Sequence, residues 1–185
     1  MKKTLVTGAS GFIGMHTLPL LLQSGHEVHA VSFQKKNKSR DGINWHQADL
    51  KDFSQTQDLI AKIQPTHLLH FAWCAEPGKF WDDPENIQWV RASLELIQVF
   101  HAHGGKRIVI SGSCAEYSWN KNIYSEKSSL EKPATLYGNC KQELQMKAES
   151  FCNEAKLSLC WGRIFFVYGP HEHPARLVPS VVRSL

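Results

Sequence analysis

Tyr137 and Lys141 stand four residues apart in Tyr137-Gly138-Asn139-Cys140-Lys141, a spacing that projects both side chains from nearly the same face of a helix. A phenol beside an ammonium is a proton-transfer pair, because the cation favours phenolate and draws tyrosine down from about pKa 10 towards neutrality. Ser113, in Ser111-Gly112-Ser113-Cys114-Ala115-Glu116-Tyr117, adds a hydroxyl able to hold the same substrate oxygen as charge develops on it. A proton donor, a group that sets its acidity and an oxyanion donor are what hydride transfer to or from a carbonyl requires. Tyr-x-x-x-Lys by itself is also an ordinary exposed helix pair, so the rest of the chain has to supply a carrier for the hydride.

The stretch Thr4-Leu5-Val6-Thr7-Gly8-Ala9-Ser10-Gly11-Phe12-Ile13-Gly14 supplies a place for one. It reads as a buried strand running into a glycine turn and then a helix. Side chains at Gly8, Gly11 and Gly14 would obstruct, in turn, the tight turn, the approach of a pyrophosphate to backbone N–H groups, and the packing of helix on strand. The opening helix presents unpaired N–H donors and the positive end of its dipole, which makes an anion site suited to a dinucleotide. A glycine-rich turn with no ligand is the alternative for the triplet taken alone.

These residues need a scaffold, and the hydrophobic pattern predicts one. A helix is expected over residues 12–24, stopped by Gly25 and kinked by Pro19, followed by strands at 27–32 and 43–47. A helix over 53–64 with Leu59, Ile60 and Ile63 on one face ends at Pro65, and residues 67–71 form a fourth strand. Ile87, Val90, Leu94 and Ile97 recur at helical steps, predicting a long helix to about residue 103 that Gly104 and Gly105 close. A fifth strand at 107–111, a helix over 136–155 and a sixth strand within 157–167 complete an alternating pattern. The fold class is therefore α/β, a parallel, doubly wound sheet with right-handed crossovers. The loop over residues 75–84 carries Phe80 and Trp81 and is expected either to line a pocket or to pack as loop core.

The second strand ends in Ser32-Phe33-Gln34, with Lys35, Lys36 and Lys38 after it. No carboxylate is available there for the 2′-hydroxyl of NAD, whereas cations could pair a 2′-phosphate. NADP is therefore favoured, with Lys35 as a contact, although a lysine-rich surface loop explains the same residues.

Composition bounds the rest. The 185 residues are 42% hydrophobic and 21% charged, ordinary for one globular domain, and the net charge of +4 is scattered rather than patched. Nucleic acid is not expected as a partner, and no apolar run is long enough to span a bilayer or form a signal-peptide core. A cytoplasmic protein follows as the expectation. Cys74, Cys114, Cys140, Cys152 and Cys160 lack any Cys-x-x-Cys pair and are read as reduced, mostly buried thiols. His171-Glu172-His173 has no third partner at zinc-site spacing, so no metal is expected.

Taken together, Gly8 to Gly14, Asp49-Leu50, His70-Phe71-Ala72, Ser113, Tyr137 with Lys141, and Arg163 through Tyr168-Gly169-Pro170 resemble the extended short-chain dehydrogenases. More closely, the chain resembles the NAD(P)-dependent epimerase/dehydratase family that modifies nucleotide sugars. The resemblance implies a Rossmann-type three-layer fold, cofactor contacts from Gly8, Gly11, Phe12, Ile13, Gly14, Asp49, Leu50, Ala72, Tyr137 and Lys141, and catalysis by Ser113, Tyr137 and Lys141. It also implies a dinucleotide-binding domain over residues 1–168 and, at 169–185, the start of a substrate-binding lobe that is cut short. The helices beginning near Ile87 and at Leu136 are those that pair subunits in this superfamily, so a homodimer is implied. Trp73 stands where the family usually has a small residue, and Trp89 where an Asn often contacts cofactor; Asn86, one turn earlier, is a candidate substitute. Tyr117 is followed by Ser118 rather than Gly, and Glu116 is either an extra substrate contact or a surface residue.

The expected function is an NADP-preferring oxidoreductase or epimerase of nucleotide-linked keto sugars. An epimerase or dehydratase that keeps its NAD bound, and a non-catalytic dinucleotide-binding or redox-sensing module, are the alternatives.

Overall fold

A computed structural model describes residues 2–34, 42–74, 76–119, 123–127 and 132–185. Along them run β1 (Lys3–Thr7), α1 (Phe12–Gln23), β2 (Glu27–Ser32), β3 (Ile43–Gln47), α2 (Phe53–Ile63) and β4 (His67–His70). Next come α3 (Glu85–Ala102), β5 (Arg107–Ser113), a single 3-10 turn at Cys114–Glu116, α4 (Leu136–Glu154), β6 (Ser158–Ile164) and α5 (Leu177–Ser184). The strands lie in the order β3-β2-β1-β4-β5-β6, every neighbouring pair parallel. This is the parallel, doubly wound sheet expected from the alternating pattern, in the strand order of the Rossmann fold that the resemblance implies. Strand order reverses between β1 and β4, and a crevice for ligands opens outside the carboxyl ends of strands at such a point.

Alternation along the strands sends neighbouring residues to opposite faces. Leu5, Val31, Leu68, Ile108 and Ile110 pack with Ile60 of α2, Leu96 and Ile97 of α3 and Leu144 of α4. Val6, Val28 and Ala30 pack with Leu18 of α1 on the other face, alongside the half-buried Trp45, Leu69 and Phe71. Both faces of the central strands are thus covered, which is why their sequences read as continuous apolar runs.

Termination follows local chemistry. Gly25, at φ +74°, closes α1 by sending its N–H to Leu22 O and that of His26 to Leu21 O, the paired bonds of a Schellman cap. The helix runs on through Pro19. Helix α2 is capped by Asp52, whose carboxylate accepts from the N–H groups of Ser54 and Gln55. Strand β5 is two residues longer than the pattern predicts, so that Ser113 is its last residue.

Candidate active site

The glycine turn leaves β1 at its carboxyl end, in the crevice. Gly8 adopts φ +63°, and a Cβ there would lie 2.6 Å from Ala72 N and 2.7 Å from Phe71 C, so the turn presses backbone to backbone against the end of β4. A Cβ on Gly14 would come 2.3 Å from Gly8 O, which fixes how closely α1 crosses the turn. Gly11 differs, since its nearest obstacle is Gly8 O at 3.2 Å and its outer side is exposed. It is also the N-cap of α1 and brings no side-chain cap, leaving the N–H groups of Phe12, Ile13 and Gly14 without partners inside the helix. Those donors and the positive end of the helix dipole follow the exposed Gly11, a setting that fits a diphosphate.

The end of β4 is tied to this turn by buried hydrogen bonds. The Thr7 hydroxyl accepts from the Ala72 N–H at 3.3 Å and contacts His70 Nδ1 at 2.7 Å, while His70 Nε2 meets the Ser93 hydroxyl of α3 at 2.8 Å. His70 is 2% exposed, and burial together with the charge of Lys141 depresses it to about 3, so it is a neutral bridge between β1, β4 and α3.

Ser113 is held by Glu116. The Glu116 carboxylate accepts from the Ser113 N–H at 2.7 Å and from the Trp161 indole N–H, and pairs with Arg163 Nε at 2.6 Å. Arg163 reaches on to Tyr117 Oη at 3.3 Å and Gln145 Oε1 at 2.6 Å. Glu116 is completely buried, so it is neither a substrate contact nor a surface residue; it fastens the end of β5 to β6. A Cβ on Gly112 would lie 2.2 Å from the Trp161 indole nitrogen, and one on Gly138 would lie 2.4 Å from Ala115 O. Gly138 thus lets the start of α4 bring Tyr137 down onto the Ser113 turn, a role that its place directly after the tyrosine could have signalled.

Tyr137 and Lys141 do share a face of α4, with Lys141 Nζ 5.9 Å from the centre of the phenol ring. Tyr137 is boxed edge-on by Phe80, Trp81 and Trp73 at centroid distances of 4.9, 5.9 and 6.3 Å, and its N–H donates to Trp81 O. The aromatic loop therefore packs around the phenol. This overturns the expected acidity: burial pushes the Tyr137 phenol above its ordinary value, and a hydrogen bond from Ser113 opposes it only in part. Lys141, 2% exposed, is itself driven down to about 7 by burial, against the pull of the Glu116 charge. Near neutral pH the phenol keeps its proton, and what it offers to a substrate oxygen is donation.

Lys141 Nζ donates to Ser111 O at 3.0 Å and sits 3.7 Å from the centre of the Trp73 ring. The Trp73 indole N–H donates in turn to Asn86 Oδ1 at 2.7 Å, and the Asn86 amide nitrogen donates to Phe80 O and Asp83 O. Asn86 is fully buried with both ends of its amide engaged, so it does not substitute for a cofactor contact from α3. Trp89 stacks on Trp73 at 6.1 Å, and its indole nitrogen is buried without a hydrogen-bond partner among the described residues. No sequence pattern marks this Lys141–Trp73–Asn86 chain, which joins three elements.

Farther along the crevice, Phe33, Gln34, Gln47, Asp49 and Gln55 line an open cleft of about 700 Å³ between the ends of β2 and β3. Asp49 accepts from the Lys51 N–H, leaving the capping of α2 to Asp52. Leu50 turns into the core at 6% exposure, so it is a packing residue first. Lys35, Lys36 and Lys38 lie outside the described residues. Ala72 is half-buried beside the glycine turn, as are Phe12 and Ile13. The thiols divide: Cys114, Cys140 and Cys152 are buried, Cys74 is half-buried and Cys160 is exposed. Among the described residues, Cys74, Asp83 and Glu85 bring ligand atoms within 4.8 Å of one another, and the ammonium of Lys51 is paired with Glu85. No helix of the described residues is long and apolar enough to cross a membrane.

The sequence model of the NAD dependent epimerase/dehydratase family matches residues 4–185. UDP-glucose 4-epimerase of Neisseria meningitidis serogroup C is 29% identical over 191 residues, covering 93% of this chain and 55% of that protein. UDP-glucuronate 4-epimerase 2 of Arabidopsis thaliana is 27% identical over 186 residues, 92% of this chain and 43% of that protein. The chain thus spans about half the length of these curated relatives. Among solved structures, the UDP-glucose 4-epimerase of Thermus thermophilus in complex with NAD superposes with a TM-score of 0.84 at 23% identity, over 98% of this chain and 60% of that one, a likeness of fold. MoeE5 in complex with UDP-glucose and NAD superposes at 0.78 with 28% identity over the same shares.

Proposed function

The chain belongs to the NAD dependent epimerase/dehydratase family, and from that premise we propose that it holds a nicotinamide dinucleotide on the Gly8–Gly14 turn and serves hydride exchange with a nucleotide-linked sugar. When bound, the dinucleotide supplies the hydride acceptor or donor. The observation that supports this reading is that the bare start of α1 and the Ser113, Tyr137 and Lys141 cluster both follow carboxyl ends of the one parallel sheet. The N–H groups of Phe12, Ile13 and Gly14 bind the diphosphate, Gly11 leaving room for it. Asp49, with the backbone at Leu50, would hold the adenosine end, and Ala72, beside the glycine turn, would contact the cofactor.

Tyr137 passes its phenolic proton to the sugar oxygen while the Ser113 hydroxyl holds that oxygen. Lys141 lowers the cost of the phenolate formed during transfer, since a cation near a developing anion stabilises it. Residues 1–168 form the dinucleotide-binding unit and 169–185 lead towards the sugar side, where Tyr168, Gly169, Pro170, Val178 and Val182 edge an apolar cleft of about 550 Å³. The absence of a carboxylate at Phe33-Gln34 favours NADP, while the MoeE5 complex, 28% identical, contains NAD. Pairing of two subunits through α3 and α4 belongs to the same reading.

Calorimetric titration of the purified chain with NAD, NADP and their reduced forms tests it. Saturable binding of one pair, weakened about tenfold or more in Gly11→Ala, is the expected result, and no binding of any of the four would overturn the proposal. Cofactor that copurifies with the protein would favour an epimerase or dehydratase over a reductase fed by added NADPH.

A further inference from the structure

Lys141 carries three N–H donors into a place that water does not reach, the residue being 2% exposed. One donor is taken by Ser111 O at 3.0 Å. What covers the ammonium besides is the face of an indole, its centre 3.7 Å from Nζ. A cation over a tryptophan face is attracted by the ring quadrupole, and the attraction is largest where both are desolvated.

The indole is itself held in place. Its N–H donates to Asn86 Oδ1 at 2.7 Å, and its ring stacks on Trp89. Asn86 cannot present its amide the other way round, because its nitrogen already donates to Phe80 O at 2.7 Å and Asp83 O at 2.8 Å. Turning it would set donor against donor at Trp73 and orphan the buried Phe80 carbonyl.

The titratable and charged neighbours of Lys141 do not replace this contact. Glu116, from the turn after β5, favours the ammonium, but its carboxylate is engaged by Arg163 of β6, Trp161 and the Ser113 N–H. His70, from β4, is uncharged, and Tyr137 on α4 itself keeps its proton and offers its ring at 5.9 Å.

We infer that Trp73 is a positioning residue for Lys141: its indole face seats the buried ammonium beside Tyr137, and the Asn86 amide locks the indole in that place. The inference rests on the assignment of Lys141 to the reacting site. A tryptophan after Ala72 has work to do here that a small residue could not perform. Through Asn86 the 76–84 loop and α3 are mechanically joined to the proton-transfer pair.

The test uses the whole chain with Trp73 replaced site-specifically by monofluoro-, difluoro- and trifluorotryptophan. This series keeps the ring's shape and its N–H but drains the negative potential of its face. Protonation of Lys141 is read by NMR of lysine labelled with ¹³C at Cε, the signal assigned by its loss in Lys141→Arg. The expected result is a stepwise fall of the Lys141 midpoint, about one pH unit at the trifluoro stage, with Trp73→Phe falling in between and Trp73→Leu lowest. A midpoint that ignores fluorination overturns the inference even if Trp73→Leu fails to fold, because a purely structural tryptophan would alter thermal stability without that gradation. Titration with NAD and NADP separates the two claims. Failure of the unsubstituted chain to bind either defeats the proposed function and leaves the fluorination result standing, whereas a flat series in a chain that binds cofactor defeats this inference alone.

Discussion

Arg163 Nε lies 2.6 Å from Glu116 Oε2, an ion pair between β6 and the turn after β5 whose carboxylate is wholly buried and whose guanidinium is 12% exposed. Removing the cation strands a charge in a medium that solvates it poorly. Arg163→Met is therefore expected to lower stability by about 3–5 kcal/mol, read from urea unfolding. Glu116→Gln combined with Arg163→Met removes the charge along with its partner and is expected to recover part of that loss. Since Glu116 also holds the Ser113 N–H at 2.7 Å, the single variant should lose activity beyond what its unfolded fraction explains. Full activity per folded molecule would mean that the pair does not position Ser113.

The phenol of Tyr137 is expected to move protons and to contribute little to cofactor binding. Tyr137→Phe keeps the ring among Phe80, Trp81 and Trp73 and deletes the oxygen that meets Ser113. Turnover of a nucleotide sugar should fall by about 10²-fold or more, while the Kd for the dinucleotide stays within about twofold, a free-energy change under roughly 0.5 kcal/mol. Equal losses in both would remove Tyr137 from the role given to it.

The three glycines of the first turn should fail in different ways. Gly14→Ala drives a methyl to 2.3 Å from Gly8 O, a backbone atom with nowhere to go, so the variant is expected to be unstable or unfolded. Gly11→Ala meets that same oxygen at 3.2 Å, asks for a shift of a few tenths of an ångström, and should fold. Its methyl would nevertheless stand over the bare N–H groups of α1, so dinucleotide affinity should drop by about tenfold or more, equivalent to about 1.4 kcal/mol. Thermal unfolding and calorimetry on the two variants separate these outcomes.

His70 predicts how stability depends on pH. Its pKa in the folded chain is about 3, below the ordinary histidine value of 6.5, so as pH falls the unfolded chain takes up the proton first. Stability from this group is complete above 6.5 and is lost progressively down to about 3. His70→Asn, which cannot titrate, should be less stable than the unsubstituted chain at pH 7 because the bridge from Thr7 to Ser93 is broken. The gap should narrow as pH falls from 6.5 towards about 4, followed by urea midpoints at half-unit steps. A constant gap would mean that His70 is protonated in the folded state.

What can be read from sequence is what depends on neighbours along the chain. Gly8, Gly25 and Gly104 mark left-handed backbone, Leu59, Ile60 and Ile63 mark a buried stripe, and Tyr137 with Lys141 mark a shared helix face, each over a few residues. The acidity of Tyr137 escapes such a reading because it depends on Phe80, Trp81 and Trp73, which arrive from more than fifty positions away and shut out water. Glu116 looks like a surface or substrate-facing group for a similar reason: its partner, Arg163, is on another strand. Asn86 looks free for a cofactor because the partner of its amide oxygen, Trp73, comes from the loop after β4, 13 positions away.

In the strand order β3-β2-β1-β4-β5-β6, the strand nearest the start of the chain sits between the two halves of the sheet. As the polypeptide leaves the ribosome, β1 can pair with β2, and β2 with β3, while the other flank of β1 stays bare until His67–His70 has emerged. During that interval the flank that will receive β4 exposes unpaired N–H and C=O groups beside Leu5 and Val6, an invitation to stray pairing with other chains. Emergence of residues 48–66 is thus the interval in which the growing chain most needs a chaperone, and a pause within it should raise aggregation more than a pause once residue 113 has emerged.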